Sequence, residues 1–320
     1  MDSDVLRRIW ERQAEFAKKV DPEAYDDNIQ EKEQYTINTA YHIIRELAEL
    51  VDETNWKTHV KYKKAINKSN IIEEYIDVFK FFINLGLVWG ITADDVIKEF
   101  DRKSAVVEQK WEQENMLSKL KDTDKIAAVD IDGVLASHPG SFISWLVKHR
   151  FMRETATFNM TKEEIINAVG SFEAYTELKH QYRMQGAKLE ALVLPGARQL
   201  LQYLKQMNYK IVLLSARPYR QYVRIFADTL AWLNIHDLPY DAILFDSDKE
   251  DVIIKRFPQM KIFIDDEYEN VEKVAVAGFK AIWIANGDMK SRTTHPNVTA
   301  FYSTGELVRE IQRWQQKSRS

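Results

Sequence analysis

The stretch Ile126-Ala127-Ala128-Val129-Asp130-Ile131-Asp132-Gly133-Val134 decides the fold of the second half of this 320-residue chain. Its first four residues are apolar and predict a buried strand, and the Asp-x-Asp-Gly that follows places two carboxylates where the strand ends. Further apolar runs alternate with helical patterns: Ile211–Leu214, Ala242–Phe245, Ile262–Ile264 and Ala281–Ile284. The alternation predicts a parallel sheet covered by helices, with the chemistry at the carboxyl ends of the strands.

Polar groups stand at the ends of three of these apolar runs. Asp130 and Asp132 follow the first, Ser215-Ala216-Arg217-Pro218 follows the second, and Asp265-Asp266-Glu267 follows the fourth. An isolated Asp-x-Asp-Gly could be a turn or a helix cap. The ordered set of acids, serine, a lysine and two further acids instead resembles the four motifs of haloacid dehalogenase (HAD)-superfamily phosphatases, over residues 125 to about 290.

The resemblance implies a role for each of these side chains. Asp130 would be the nucleophile that forms an aspartyl-phosphate, and Asp132 would protonate the leaving oxygen and then activate water. Ser215 would donate a hydrogen bond to the phosphoryl oxygens. Asp265, with Asp266 as a further candidate, would bind Mg²⁺ together with Asp130 and the backbone carbonyl of Asp132.

Other roles in this half stay open. We predict that Lys249, at the start of a helix, is the lysine that offsets phosphoryl charge, with Lys255 further along that helix as the alternative. Arg217 either contacts the substrate phosphate or forms a structural fork to a carboxylate. A mostly helical insertion, residues 137–194, is expected to form a cap over the site. Its aromatic and basic residues suit a nucleotide, although they could simply pack the cap.

The first 120 residues have a different composition. They hold one of seven prolines and two of ten glycines, which favours an all-helical region. The helical patterns are Ser3–Val20, Tyr35–Thr54, Ser69–Leu87 and Thr92–Asn115. The charged stretch 119–124 is the expected boundary, so we predict domains at residues 1–120 and 121–320: a helical bundle followed by a three-layer α/β domain.

Two pairs of acids lie on the second and third helical patterns. Glu46 and Glu49, and then Glu74 and Asp77, are each three residues apart, so each pair shares a helix face. The predicted buried stripes beside them are Ile43, Leu47, Leu50 and Val51 on one helix and Ile72, Ile76, Phe79 and Ile83 on the other. Four converging carboxylates would repel one another unless a cation such as Mg²⁺ neutralises them. The alternative is that these acids are solvated surface residues.

These acids, with Trp56-Lys57 between the pairs, resemble the motif of the all-α NTP pyrophosphohydrolases, a family that includes MazG-like proteins and dimeric dUTPases. The resemblance is strongest to the dimeric dUTPase branch and covers residues 10 to 112. The resemblance implies that the four acids bind Mg²⁺ and that an activated water attacks between the α- and β-phosphates. Trp56 would pack on a nucleotide, and Lys57 and Lys103 would contact phosphate. The alternative is that Trp56 is a core tryptophan and Lys57 a solvated lysine. Beyond Lys103 the chain departs from the dUTPase pattern, so a preference for uracil is not implied.

Composition narrows the classes of partner. A net charge of −4 gives no global basic field for nucleic acid, and the absence of cysteine excludes disulfides and zinc–thiolate sites. The acidic N-terminus is unlike a signal peptide, and the longest apolar stretch, 78–91, is too short to span a bilayer. We therefore expect a soluble, cytoplasmic protein that forms a homo-oligomer, a dimer or tetramer, through its helical domain.

The leading hypothesis is a bifunctional Mg²⁺-dependent nucleotide hydrolase. The helical domain would convert a (deoxy)nucleoside triphosphate to the monophosphate and pyrophosphate, and the α/β domain would act as a 5′-nucleotidase on that monophosphate. Two alternatives remain open at this stage. The phosphatase could act on polynucleotide 3′-phosphates, pyrophosphate or a sugar phosphate, and the helical domain could be a non-catalytic dimerisation or nucleotide-sensing module.

Overall fold

A computed structural model describes residues 3–20, 29–153, 157, 159–286 and 295–317. The chain divides into two compact units, Met1–Ser104 and Ala105–Ser320, and one helix continues through the boundary between them. No single described helix is long and apolar enough to cross a membrane, although one helix pair, Lys68–Val88 with Ala93–Leu117, passes such a test jointly despite a bend of 106°.

The first unit is built from α1 to α3 and the beginning of α4. The helices are α1 Ser3–Val20, α2 Ile29–Asp52, α3 Lys68–Val88 and α4 Ala93–Leu117. The bounds of α1 are those predicted, whereas α2 begins six residues before Tyr35, because residues 29–34 are mostly good helix formers that lack an apolar period. The Asn67 side chain caps α3 by accepting a hydrogen bond from the Ser69 N–H at 2.9 Å.

The apolar stripes of α2 and α3 are only partly covered within this unit. α3 packs against α1 and α2, and Trp10 and Ile83 belong to a small buried core. Ile43 is also buried, but Leu47, Val51, Ile72 and Ile76, all predicted to be buried, are exposed, with fractions of 41%, 43%, 51% and 40%. That part of the prediction is wrong for the single chain, because the contacts among the described helices leave parts of the apolar stripes of both α2 and α3 uncovered.

The second unit contains one parallel sheet of six strands. The strands are β1 Lys125–Val129, β2 Tyr209–Ser215, β3 Ala242–Phe245, β4 Met260–Asp265, β5 Ala281–Ile284 and β6 Val298–Phe301. Their order across the sheet is β3-β2-β1-β4-β5-β6. The order reverses between β1 and β4, and such a switch point opens a crevice at the carboxyl ends of the two strands.

Helices cover both faces of the sheet. They are α8 Ala197–Gln206, α9 Arg224–Ile235, α10 Lys249–Arg256, α11 Tyr268–Val276 and α12 Thr304–Lys317. Ala127 and Val129 of β1 pack into one core with residues of α8, α9 and α12. Ile126 and Ala128 point to the opposite face, where the core is completed by residues of α10 and α11. Alternate residues of this fully apolar strand therefore pack against the two helical layers on opposite faces of the sheet.

Three helices form the insertion predicted at residues 137–194. They are α5 Gly140–Lys148, α6 Lys162–Val169 and α7 Phe172–Met184. Their shared core includes Phe142, Trp145, Ile165 and Tyr182, so this cap has a hydrophobic centre of its own. α6 begins with a capping box in which Thr161 and Glu164 satisfy each other's backbone N–H groups.

Candidate functional site

The ends of β1 and β4 bring two buried acids to the switch point. The Asp130 N–H donates to the Ile264 carbonyl at 2.8 Å, which fixes the end of β1 beside β4. Lys249 lies at the start of α10, and its Nζ donates to Asp130 Oδ1 and to Asp265 Oδ2, each at 2.6 Å. All three side chains are at most 6% exposed. One lysine therefore ties the two strand-end carboxylates together.

Burial and charge act against each other in this cluster. Burial raises the pKa of Asp130 to about 7, although the charge of Lys249 opposes the rise. Burial would lower the pKa of Lys249, but Asp130 and Asp265 outweigh it and raise that pKa. Burial and the charge of Asp130 also raise the pKa of Asp266. The site therefore carries more negative charge than one lysine balances, as a cation-binding site does.

The same acids could hold a metal ion. Asp130, Asp265 and Asp266 each offer a carboxylate oxygen, and these oxygens lie within 4.8 Å of one another. Gly133 makes room for this arrangement, because a Cβ atom there would lie 1.9 Å from Asp266 Oδ2, and its φ of +89° also favours glycine. An all-oxygen donor set of this kind suits Mg²⁺.

Ser215 adds an unpartnered donor at the end of β2. Its side chain is 1% exposed, and its Oγ has no hydrogen-bond partner within the described residues. A buried hydroxyl without a partner costs free energy, so such groups are uncommon unless a ligand completes them. Ser215 lines the same cavity as Asp130, which makes a phosphoryl oxygen a fitting acceptor.

Asp132 has different surroundings from Asp130. Arg217 holds it with two hydrogen bonds, Nε to Oδ2 at 3.0 Å and Nη2 to Oδ1 at 2.7 Å, and Lys188 Nζ donates to Oδ2 at 2.8 Å. Thr229 fixes the guanidinium by accepting from its Nη1 at 2.9 Å. Burial would raise the pKa of Asp132, but the charges of Arg217 and Lys188 hold it well below its usual value. Arg217 is therefore a fork to a carboxylate that also faces the cavity.

The helical unit brings three of its four predicted acids together. Carboxylate oxygens of Glu46, Glu74 and Asp77 lie within 4.8 Å of one another and could hold a metal ion. Partial burial raises the pKa of Glu74, and the nearby charges of Glu49 and Asp77 raise it further. Glu49 is exposed, stands outside that group of three, and accepts from Arg45 Nε at 3.2 Å.

The other predicted nucleotide contacts of this unit lie on its surface. Trp56 is 52% exposed, so it is not a core residue, and its Nε1 donates to Asp52 at 2.9 Å. Lys57 lies 5.1 Å from the Trp56 ring centroid, and both line a cavity of about 370 Å³. Lys103 is exposed on α4, where its charge acts on Glu99.

Comparisons with known proteins identify both halves. Residues 124–299 match the family model of 5′ nucleotidase, deoxy (pyrimidine), cytosolic type C protein, and residues 5–190 match that of dUTPase. Each match covers more than half of the chain. The chain belongs to both families. The dUTPase match extends beyond the helical unit into the cap, and the two matches overlap over residues 124–190. Both families act on nucleotides or phosphomonoesters, so the protein is a hydrolase.

Solved structures resemble the chain only distantly. They include a D,D-heptose 1,7-bisphosphate phosphatase from Burkholderia thailandensis, with 11% identity, a TM-score of 0.34, and coverage of 59% of this chain and 99% of that one. A phosphoserine phosphatase from T. onnurineus has 17% identity and a TM-score of 0.37, covering 61% and 98%. A HAD-superfamily hydrolase from Ehrlichia chaffeensis has 12% identity and a TM-score of 0.35, covering 59% and 96%. Curated proteins give no significant sequence match.

In the 5′ nucleotidase-family half, the structure separates the two candidate lysines. Lys249 lies between Asp130 and Asp265, whereas Lys255 is exposed and pairs with Asp251 at 2.7 Å. The exposed position follows from the helix, because Lys255 lies six residues after Lys249 and so faces away from it.

Two polar residues of this half were missed from the sequence. Lys188 is buried against Asp132, and burial lowers its pKa to about 8. His138 lines the cavity, and burial lowers its pKa to about 4. Nothing in one sequence ties either residue to the strand ends, because both come from the cap segment, where basic residues are common.

Proposed function

We propose that the 5′ nucleotidase-family unit is a Mg²⁺-dependent phosphatase of nucleoside monophosphates. One observation carries the proposal: Lys249 holds Asp130 and Asp265 at the switch point, beside the unpartnered hydroxyl of Ser215. Asp130, Asp265 and Asp266 would hold the ion, which would offset the charge of the phosphoryl group and help keep Asp130 ionised. Lys249 supports the same ionised state, which a nucleophile requires.

The remaining residues account for a two-step hydrolysis. A carboxylate oxygen of Asp130 attacks phosphorus, the ester P–O bond breaks, and the leaving oxygen takes a proton from Asp132. Water then attacks the phosphorus of the aspartyl-phosphate and gives a proton to Asp132, the bond between phosphorus and the Asp130 oxygen breaks, and inorganic phosphate leaves. Free Asp132 is held ionised by Arg217 and Lys188. An incoming phosphate competes for those two cations, which raises the pKa of Asp132 when the acid is needed.

The dUTPase-family unit would supply the first reaction. Glu46, Glu74 and Asp77, with Glu49 beside them, would hold Mg²⁺. Water attacks the nucleoside triphosphate between its α- and β-phosphates, which gives the monophosphate and pyrophosphate. The end of α2 and the loop that follows it line a cavity, where Trp56 offers a ring face and Lys57 a cation to a nucleotide. The product of this reaction is a substrate of the class proposed for the second unit.

We further propose functional domains at residues 1–120 and 121–320, and a homo-oligomer formed through the helical unit. Large apolar side chains are exposed on α2 and α3, with fractions of 69% for Tyr41, 61% for Ile44, 60% for Tyr75 and 52% for Phe82. Apolar surface of this extent is typical of an interface. A second copy of the same unit would cover it.

A panel of nucleoside and deoxynucleoside triphosphates with Mg²⁺ tests the proposal. The wild-type protein should release pyrophosphate and then inorganic phosphate, leaving a nucleoside. Asp130→Asn should stop at the monophosphate, whereas Glu74→Gln should abolish pyrophosphate release but still hydrolyse added monophosphate. Failure of the wild-type protein to hydrolyse any nucleoside monophosphate would refute the phosphatase assignment. Failure to release pyrophosphate would refute the coupled reaction alone.

A further inference from the structure

The cap contains a second, larger cavity beside the one at Asp130. Its volume is about 800 Å³, compared with about 220 Å³ for the inner cavity. The two cavities share three wall residues, His138, Lys179 and Arg183. Because the walls are shared, the outer cavity continues the inner one, and a substrate with its phosphate at Asp130 can extend into it.

The outer cavity is positively charged. Among the described residues, Lys162, Lys179 and Arg183 line it, and Glu177 is the one carboxylate. Glu177 Oε1 accepts from the Gln181 amide at 2.9 Å. Within the described parts of the chain, none of the three cations forms an ion pair. The lysines, arginine and glutamate of this described lining therefore carry a net charge of two positive.

Each of the three cations lies beside an aromatic ring. Lys162 Nζ lies 5.9 Å and Lys179 Nζ 5.3 Å from the centroid of the Tyr175 ring. The Arg183 guanidinium carbon lies 5.3 Å from the centroid of the Tyr222 ring. A ring face holds a cation in position without using its N–H donors. Lys179 Nζ donates one hydrogen bond, to the Tyr175 hydroxyl at 3.0 Å, and its two other N–H groups stay available to an anion.

We propose that the outer cavity binds a second phosphate group, so that the preferred substrates are nucleosides that carry two separate phosphates, such as nucleoside 3′,5′-bisphosphates. This inference rests on the proposed phosphatase function of the Asp130 site. The scissile phosphate already has its donors in Ser215, Lys249 and Arg217 at the inner cavity. A monophosphate therefore offers nothing anionic to the cations of the outer cavity, whereas a second phosphate matches them in charge and hydrogen bonding.

The test compares kcat/KM for a nucleoside 3′,5′-bisphosphate and for the 5′-monophosphate of the same base, with Mg²⁺ present. The wild-type protein should favour the bisphosphate by about tenfold or more, the factor expected for charge-assisted hydrogen bonds to one additional group. Lys162→Gln should lower that ratio severalfold through KM. The matched control is Lys148→Gln: Lys148 is an exposed cap lysine bonded to Glu190 at 2.7 Å, and its loss should leave the ratio unchanged.

Four results would overturn the inference. A wild-type ratio of one or below refutes it while leaving the monophosphatase function intact. A ratio that is unaffected by Lys162→Gln refutes it as well, and so does an equal fall in Lys148→Gln, since the effect would then follow net charge and not the cavity. Absence of hydrolysis of either substrate refutes the proposed function itself, and this inference with it.

Discussion

Replacing Lys249 with methionine tests the centre of the phosphatase site. The substitution preserves most of the side-chain volume but removes the charge that lies 2.6 Å from both Asp130 and Asp265. Removing one partner of a buried ion pair costs about 3–5 kcal/mol, because the remaining charges are left uncompensated. For a unit of about 200 residues, that loss corresponds to a fall in Tm of about 6–20 °C.

The pH of the measurement matters for this variant. The pKa of Lys249 is raised in the folded protein, so its stabilisation is fully present below its unfolded value of 10.5 and is lost as the pH rises through the folded value. A comparison at pH 7 therefore captures the whole effect. Without Lys249, the pKa of Asp130 should rise above its present value of about 7, which leaves the nucleophile mostly protonated. Phosphatase kcat/KM at pH 7 should fall by about 100-fold or more.

Differential scanning calorimetry and a phosphate-release assay measure the two effects. Lys255→Met is the matched control, because Lys255 belongs to the same helix but is exposed and pairs with Asp251 at the surface. It should melt and turn over like the wild-type protein. The reasoning is refuted if Lys249→Met retains both wild-type Tm and activity, or if the control loses activity instead.

Three further predictions address other parts of the chain. Gly133→Ala should lower the free energy of unfolding by at least about 2 kcal/mol more than Gly278→Ala, measured by urea denaturation. Both positions have positive φ, but among the described residues a side chain, that of Asp266, lies in the way of a Cβ atom at Gly133 and none does at Gly278; equal losses would contradict this reasoning. Because the pKa of His138 is lowered from 6.5 to about 4, the unfolded chain binds a proton that the folded chain does not, so stability should fall as the pH drops from 6.5 to 4. The loss should be well below the full value of the shift, because His138 is exposed and solvent screens its charge, and His138→Gln should lack this pH dependence in a urea-denaturation series. In a coupled pyrophosphate assay, Glu74→Gln should reduce Mg²⁺-dependent pyrophosphate release by about 100-fold or more. The control Glu73→Gln, at the exposed neighbouring position, should leave that release unchanged, and equal losses would mean that the acid cluster is not the site.

The sequence predicts the strands of this fold better than its helices. Strands β1 to β5 were recognisable because parallel strands buried on both faces are continuous apolar runs. β6 was missed, since this edge strand is only four residues long and Thr299 within it is exposed. Leu47 and Val51 illustrate the opposite error. Their spacing correctly indicates an apolar helix face, but spacing alone cannot tell whether that face is covered by the same chain.

The residues of the candidate site also differ in how well the sequence predicts them. Asp130, Ser215 and Asp265 could be brought together from the sequence because each ends a strand, and parallel strands end at one edge of the sheet. Lys188 could not, because it reaches Asp132 across 56 residues from a segment without a repeating pattern. The roles proposed for all of these residues stay predictions until variants are assayed.

The run of α4 from the helical unit into the second one has a consequence during protein synthesis. Gln113, in the last third of α4, accepts a hydrogen bond from the Phe245 N–H, which comes from β3, 132 residues later. At about 5–20 residues per second, Phe245 is added roughly 7–26 s after Gln113. Leu117 packs into the core that contains Leu244 of β3 and Val252 of α10, so it also has to wait for its neighbours. The final turns of α4 therefore leave the ribosome long before the strands that will bury them, which gives a chaperone time to bind there.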